Sequence, residues 1–215
     1  MKPLYPGYDV LSKRHSASWN DKTREVVDAR LAMDPEAHAF LNDDEWRTLK
    51  ALCARIAPQP PDRRPPAPVA ALVDEKLAKN AGDGYRRAEM PPLREAWRTG
   101  LAALNEEAKR RHGVDFADLF GKEQDELLTR VQSGDVQSPA WASLPAKLFF
   151  KTRVAADIVN AYYSFPCAWS EIGFGGPASP RGYVRMNYDR RDPWEASEAR
   201  AGREQTARRE NVRIG

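Results

Sequence analysis

Residues 173–178 read Gly-Phe-Gly-Gly-Pro-Ala, the G-x-G-x-x-A spacing that carries a dinucleotide pyrophosphate where a strand turns into a helix. That chemistry needs a buried strand entering the turn and a helix leaving it, because the phosphates sit on the free amides of the helix N-terminus. Here the preceding Phe-Pro-Cys-Ala-Trp-Ser-Glu-Ile, residues 165–172, contains a proline and polar breaks and follows a long helical pattern. Pro177 and Pro180 come next, and Ser179, before proline, is pushed out of the helical region. Only residues 179–215 remain beyond the motif, too few for a doubly wound sheet. The spacing is a coincidence, and no residue is assigned to cofactor binding.

Other chemistry is equally sparse. His15, His38 and His112 are scattered, without a pair at metal-ligand spacing on one helix face. His112 before Gly113 reads as a helix-end residue. Two cysteines, Cys53 and Cys167, exclude a disulfide-rich scaffold and a four-cysteine zinc site, and leave a bridge between them open. No C-x-x-C-H haem motif and no phosphate loop with Lys-Ser or Lys-Thr is present. The acidic clusters Asp43-Asp44-Glu45 and Glu106-Glu107 fall where helix caps and solvated faces put them. No nucleophile has an evident base. The expectation is no catalytic residue, no metal ligand, and a chain that is not an enzyme by itself.

The surrounding elements are better defined. Asn20 can cap a short helix with Val26, Val27 and Leu31 as a weak apolar stripe. Asn42 and Glu45 are spaced as a capping box, and Trp46, Leu49, Cys53 and Ile56 then recur at three and four until Pro58. Six prolines between residues 58 and 68 require an extended strap. A second helix carries Val69, Leu72, Val73 and Leu77. A third runs from about Pro92 to His112, with Leu93, Trp97, Leu101, Leu104 and Ala108 on one face. A fourth spans about Lys122 to Ser133 and stops at Gly134, and a fifth runs from about Pro145 to Ser164. Nothing alternates at period two. The fold class is all-α: a single domain of about five main helices with an irregular Gly/Pro/aromatic C-terminal segment and an extended tail. The expected division is an N-terminal extension over 1–36, a helical domain over 37–176 and an extended, partner-wrapping tail over 177–215.

Net charge is only +3, yet from Arg181 onward there are nine arginines, no lysine and six acidic residues. Arginine without lysine favours forked contacts with carboxylates or phosphates. Between Tyr162 and Tyr183, large aromatics sit among glycines and prolines, which predicts irregular rather than helical backbone. Such aromatics either fold back over the chain's own helices or meet another chain. The candidate partner-binding residues are Tyr163, Trp169, Ile172, Phe174, Gly175, Gly176, Pro177, Arg181, Tyr183, Arg185 and Trp194. A nucleic-acid-binding or scaffold role for the tail is the competing reading. Acidic residues interleaved with the arginines weaken the potential a phosphate backbone would meet, so no nucleic acid is expected. No apolar run approaches the length of about 18 residues that a membrane span needs. The first residues lack an export-signal pattern, which predicts a cytoplasmic chain, or a periplasmic one carried by a signal-bearing partner.

Four stretches carry a family resemblance: FLNDDEWRTLKALCARIAPQP, VAALVDEKL, YRRAEMPPLREAWRTGLAALNEEAKRRHGVDFADLFGKEQDELL and LFFKTRVAADIVNAYYSFP. Over about Phe40 to Trp194 the chain resembles the gluconate 2-dehydrogenase subunit 3 family, the small subunits of bacterial flavin-dependent sugar and polyol dehydrogenases. The resemblance implies a non-catalytic helical subunit that binds, stabilises and helps mature a larger flavoprotein of the glucose–methanol–choline type. FAD is then expected in that partner and not in this chain, and a cytochrome c or other electron acceptor can complete the complex. Well-known members begin with a twin-arginine signal, which is missing here. Phe174-Gly175-Gly176-Pro177 stands where many members carry Tyr-Gly-Gly-Asn.

Overall fold

The structure, a computed structural model, describes residues 4–61, 63, 65–85, 87–177, 186–187, 190, 192 and 195–213. It is all-helical, with no strand among the described residues. Two compact units divide the chain. Asp34–Tyr162 forms a helical unit, and Met1–Met33 together with Tyr163–Gly215 forms a terminal unit. Residues 163–176 group with both termini.

The helical unit contains α2 (Asp43–Ile56), α3 (Val69–Ala78), α4 (Leu93–His112), α5 (Gly121–Ser133), α6 (Ala146–Phe149) and most of α7 (Ala156–Tyr163). The capping box at Asn42 forms as the spacing predicts: Glu45 N–H donates to Asn42 Oδ1 and Asn42 N–H donates to Glu45 Oε2. Gly113 and Gly134 close α4 and α5 in the left-handed region, at φ 80° and 85°. Leu49, Trp97, Leu101, Leu104, Phe116, Leu127 and Phe149 are buried. The fifth expected helix is interrupted. Between α6 and α7, residues Phe150–Ala155 widen into π-helix. Such wide turns inside helices recur at functional sites.

Phe149, just before the π segment, meets Trp97 edge-on, with ring centroids 5.7 Å apart. Its ring lies against Gly100 in the middle of α4: a Cβ there would stand 2.1 Å from Phe149 Cζ. A glycine inside a helix costs about 1 kcal/mol relative to alanine, and here the close ring approach is what it permits. Gly100→Ala is therefore expected to destabilise the chain by about 1–3 kcal/mol by overpacking, despite its better helix propensity. A urea midpoint unchanged or raised by that substitution would contradict the packing.

Three buried carboxylates tie loops to helices. Asp74 on α3 accepts the backbone N–H groups of Ala39, Phe40 and Leu41, which anchors the entry to α2. Glu107 on α4 accepts from the amides of Gln137 and Ser138 and from Arg111 Nε, which fixes the segment after α5. Asp157 on α7 accepts from Trp97 Nε1 at 2.8 Å and from Lys76 Nζ at 2.8 Å. Lys76 also donates to Asp83, which in turn accepts from Arg153 of the π segment. Each carboxylate uses its charge to satisfy donors that would otherwise be buried without a partner.

The terminal unit is built from a 3-10 turn (Val10–Lys13), α1 (Asp21–Leu31), α8 (Pro166–Ile172) and α9 (Glu204–Arg213). Asn20 caps α1 by accepting from Thr23 N–H, as its position predicts. Its core holds Tyr8, Val10, Trp19, Val27, Trp169, Ala199 and Ala207. Two expectations are corrected here. The segment after Ser164 is not wholly irregular: Pro166 takes the first helical position of α8, where its missing N–H and fixed φ cost nothing. Nor is the end of the chain wholly extended. Residues 204–213 are helical, and Asn211 exchanges two hydrogen bonds with the Ser197 backbone, folding α9 back onto the preceding loop. Small alanines at 199 and 207 let that layer approach the aromatic core.

Candidate partner interface

The glycines of residues 173–176 answer to the chain's own N-terminal segment. Gly173 ends α8 at φ 71°, with Phe174 N–H bonded back to Trp169 O. A Cβ on Gly173 would stand 2.6 Å from the Tyr5 ring. Gly175 offers its carbonyl to the buried Lys13 ammonium at 2.6 Å. Gly176, at φ 74°, lies against Trp19 and Val10. Left-handed backbone and absent side chains are what glycine supplies, and both are used within this unit.

Trp169 shares that destination. It is 5% exposed, packs in the terminal core, donates its indole N–H to Tyr163 O and meets Phe174 edge-on at 6.1 Å. As a candidate anchor for another chain it is corrected: its apolar area is already removed from water. Gly175 and Gly176 are buried as well, and Pro177 is half-buried. Tyr163, Ile172 and Phe174 remain exposed on the same unit. Their backbone is held in place by Val10 N–H on Ser170 Oγ, Arg30 on Ser164 O, and Lys13 on Gly175 O. Three apolar side chains on a pinned support make a surface that loses little freedom on binding. Arg181, Tyr183, Arg185 and Trp194 lie outside the described residues.

Two further exposed aromatics escaped the sequence reading. Tyr85, in the loop between α3 and α4, and Phe120, at the start of α5, are the most exposed aromatics among the described residues. Each borders a glycine in sequence, Gly84 before Tyr85 and Gly121 after Phe120. An aromatic directly beside a glycine was the available signal. Periodicity could not find it, because neither residue belongs to an apolar stripe.

Cys53 is buried, and burial pushes its thiol far above the ordinary range. No disulfide joins it to Cys167. Among the described residues no group of three or more His, Cys, Asp or Glu is placed to hold a metal, and no helix is long and apolar enough to cross a membrane.

The family described as gluconate 2-dehydrogenase subunit 3 matches residues 43–176, which spans α2 through the glycine turn after α8. No curated protein and no solved structure matches the chain. That match takes in more than half of the sequence, including the capped α2, the long α4 with its Gly113 stop and the interrupted α6–α7 helix. The chain belongs to the gluconate 2-dehydrogenase subunit 3 family.

Proposed function

We propose that this chain is a non-catalytic small subunit of a flavin-dependent sugar or polyol dehydrogenase, which binds, stabilises and helps mature an FAD-carrying subunit of the glucose–methanol–choline type. Family membership points to a subunit of a dehydrogenase complex. The observation that carries the finer reading is the exposed Tyr163, Ile172 and Phe174 on a backbone pinned by the N-terminal segment. A surface of this kind suits docking, whereas the buried carboxylates of Asp74, Glu107 and Asp157 bond donors of the chain itself. FAD then resides in the partner, and a cytochrome c or other acceptor takes the electrons.

Co-expression with flavoproteins of the glucose–methanol–choline type from the same genome is the test. The two chains are expected to co-purify in a fixed ratio with a flavin spectrum, and omission of this chain is expected to lower the yield of flavin-loaded partner. Produced alone, the chain is expected to be colourless and without dehydrogenase activity. A stoichiometric flavin spectrum in the isolated chain, or partners that never co-purify, would overturn the reading.

A further inference from the structure

Residues 200–213 contain five arginines and two glutamates, so this segment holds the chain's entire net charge of +3 and the remainder balances to zero. Both glutamates bond the chain itself. Glu204, the first residue of α9, accepts Gly202 N–H, and Glu210 accepts the Ser197 hydroxyl. The arginines are not engaged in the same way. Arg200, Arg203, Arg208, Arg209 and Arg213 are all exposed, and among the described residues none of them meets a carboxylate. Arg209 donates Nε–H to Gln205 O of its own helix and keeps its charge in solvent.

Helix stability accounts for only part of this pattern. Arg213 sits in the last turn of α9, where the negative end of the helix favours a cation. Arg203 directly precedes Glu204 at the opposite end, where the helix is positive, and Arg200 lies three residues earlier. Positive charge there works against the helix that follows. The fold gains nothing from cations at that end.

We infer that the arginine face of α9, with Arg200 and Arg203 leading into it, docks on an acidic surface of the flavoprotein subunit, an inference that rests on the function proposed above. α9 lies outside the residues matched to the family, so membership alone gives it no role. Charge complementarity sets the partner's sign: a cluster that holds all of the chain's excess charge steers an acidic surface toward it and fixes its orientation. Arginine in place of lysine meets carboxylates with a forked pair of donors. Val212 favours a protein over a phosphate backbone. It is 72% exposed, one turn from Arg208 and Arg209 and next to Arg213. An apolar side chain among arginines gains from burial against a protein surface and gains little along a row of phosphates.

The test measures the association rate and Kd of the full chain with the separately purified FAD-carrying subunit, at low and at high ionic strength. Arg200→Glu/Arg203→Glu is compared with Arg110→Glu/Lys151→Glu, which makes the same charge change at exposed positions of the helical unit. Acids suit a helix N-terminus, so the first variant is expected to keep or raise the melting temperature of the free chain. Its association at low ionic strength is expected to slow about tenfold or more, with the difference closing at high ionic strength, while the control slows far less. Wild type that fails to bind the flavoprotein overturns the proposed function and removes this surface's occupant with it. Wild type that binds, with Arg200→Glu/Arg203→Glu binding equally well, overturns the α9 surface alone. Equal slowing in both variants reduces the effect to net charge and overturns it too. A lowered melting temperature in Arg200→Glu/Arg203→Glu assigns these arginines to the fold and does the same. A random-sequence DNA duplex that wild type binds more tightly than the flavoprotein at matched ionic strength, and that this variant no longer binds, assigns the face to nucleic acid and overturns the acidic protein surface.

Discussion

Asp157→Ala is expected to cost the chain about 3–5 kcal/mol of stability, the usual penalty when one member of a buried ion pair is removed and the other remains. The Asp157 side chain is 1% exposed and holds the Lys76 ammonium with one oxygen and the Trp97 indole N–H with the other. Its removal leaves the buried indole donor without an acceptor and Lys76 with Asp83 alone. Asp157→Asn keeps an acceptor for Trp97 but loses the charge, so it should fall between wild type and alanine. Urea unfolding followed by tryptophan fluorescence checks both, and a Lys76→Met/Asp157→Asn pair should cost less than the sum of its single changes. The same network sets a pH window. Burial works against the Lys76 ammonium, but hydrogen bonds to Asp157 and Asp83 outweigh it and hold its pKa above the usual 10.5. That contribution is complete below 10.5 and is lost as pH rises through the raised folded value. The hydrogen bond from Lys76, opposed by partial burial and aided by Arg153, holds Asp83 below its usual 3.8. Its contribution is present above 3.8 and is lost as pH falls through the lowered value. Stability from this network is thus expected to be flat across neutral pH, with losses only at the two extremes, and Asp157→Ala should soften the alkaline limb. An alanine variant that unfolds with the wild type would show that the buried pair contributes nothing.

Helix placement was legible because its causes are local. Asn42 with Glu45, and the glycines at 113 and 134, act within one turn, so spacing alone gave the ends of α2, α4 and α5. The apolar stripe of α4 likewise named Trp97, Leu101 and Leu104 as core. Pairings distant in sequence were not legible. Nothing around Gly100 announces that Phe149 will lie on it, and nothing in the N-terminal residues announces that Val10 and Trp19 will meet Gly176. The aromatic, glycine-rich stretch was correctly singled out as unusual, but sequence could not say which of its rings face inward. Trp169 faces the core and Ile172 does not, although they lie three residues apart on one short helix, because the N-terminal segment covers one side of α8 only. The π segment was invisible for a related reason: its residues are ordinary helix formers, and no glycine or proline marks it.

That inward–outward division gives the second large effect. Trp169→Ala is expected to destabilise the isolated chain by about 3–5 kcal/mol, the range for truncating a fully packed aromatic. The indole fills the centre of a core shared by Tyr8, Val10, Trp19, Val27, Ala199 and Ala207, and the void left behind is walled by elements from both ends of the chain. Among the described residues this cluster and side-chain bonds such as Ala196 N–H to Ser18 Oγ join those ends, so collapse of the core should release them together. The expected readout is rapid amide exchange across α1, α8 and α9. Ile172→Ala should behave in the opposite way. Its side chain is exposed, so the free chain should keep its melting temperature, while affinity for the flavoprotein falls by about 2 kcal/mol, roughly thirtyfold. Phe174→Ala stands between them, because the ring is exposed on one side and packs edge-on against Trp169 on the other, and should lower both quantities. Measuring melting temperature and Kd for the three variants separates closing of the chain's own core from docking of another chain. If Ile172→Ala leaves the Kd unchanged while Trp169→Ala unfolds the terminal unit, the whole segment serves only to join the two ends of this chain.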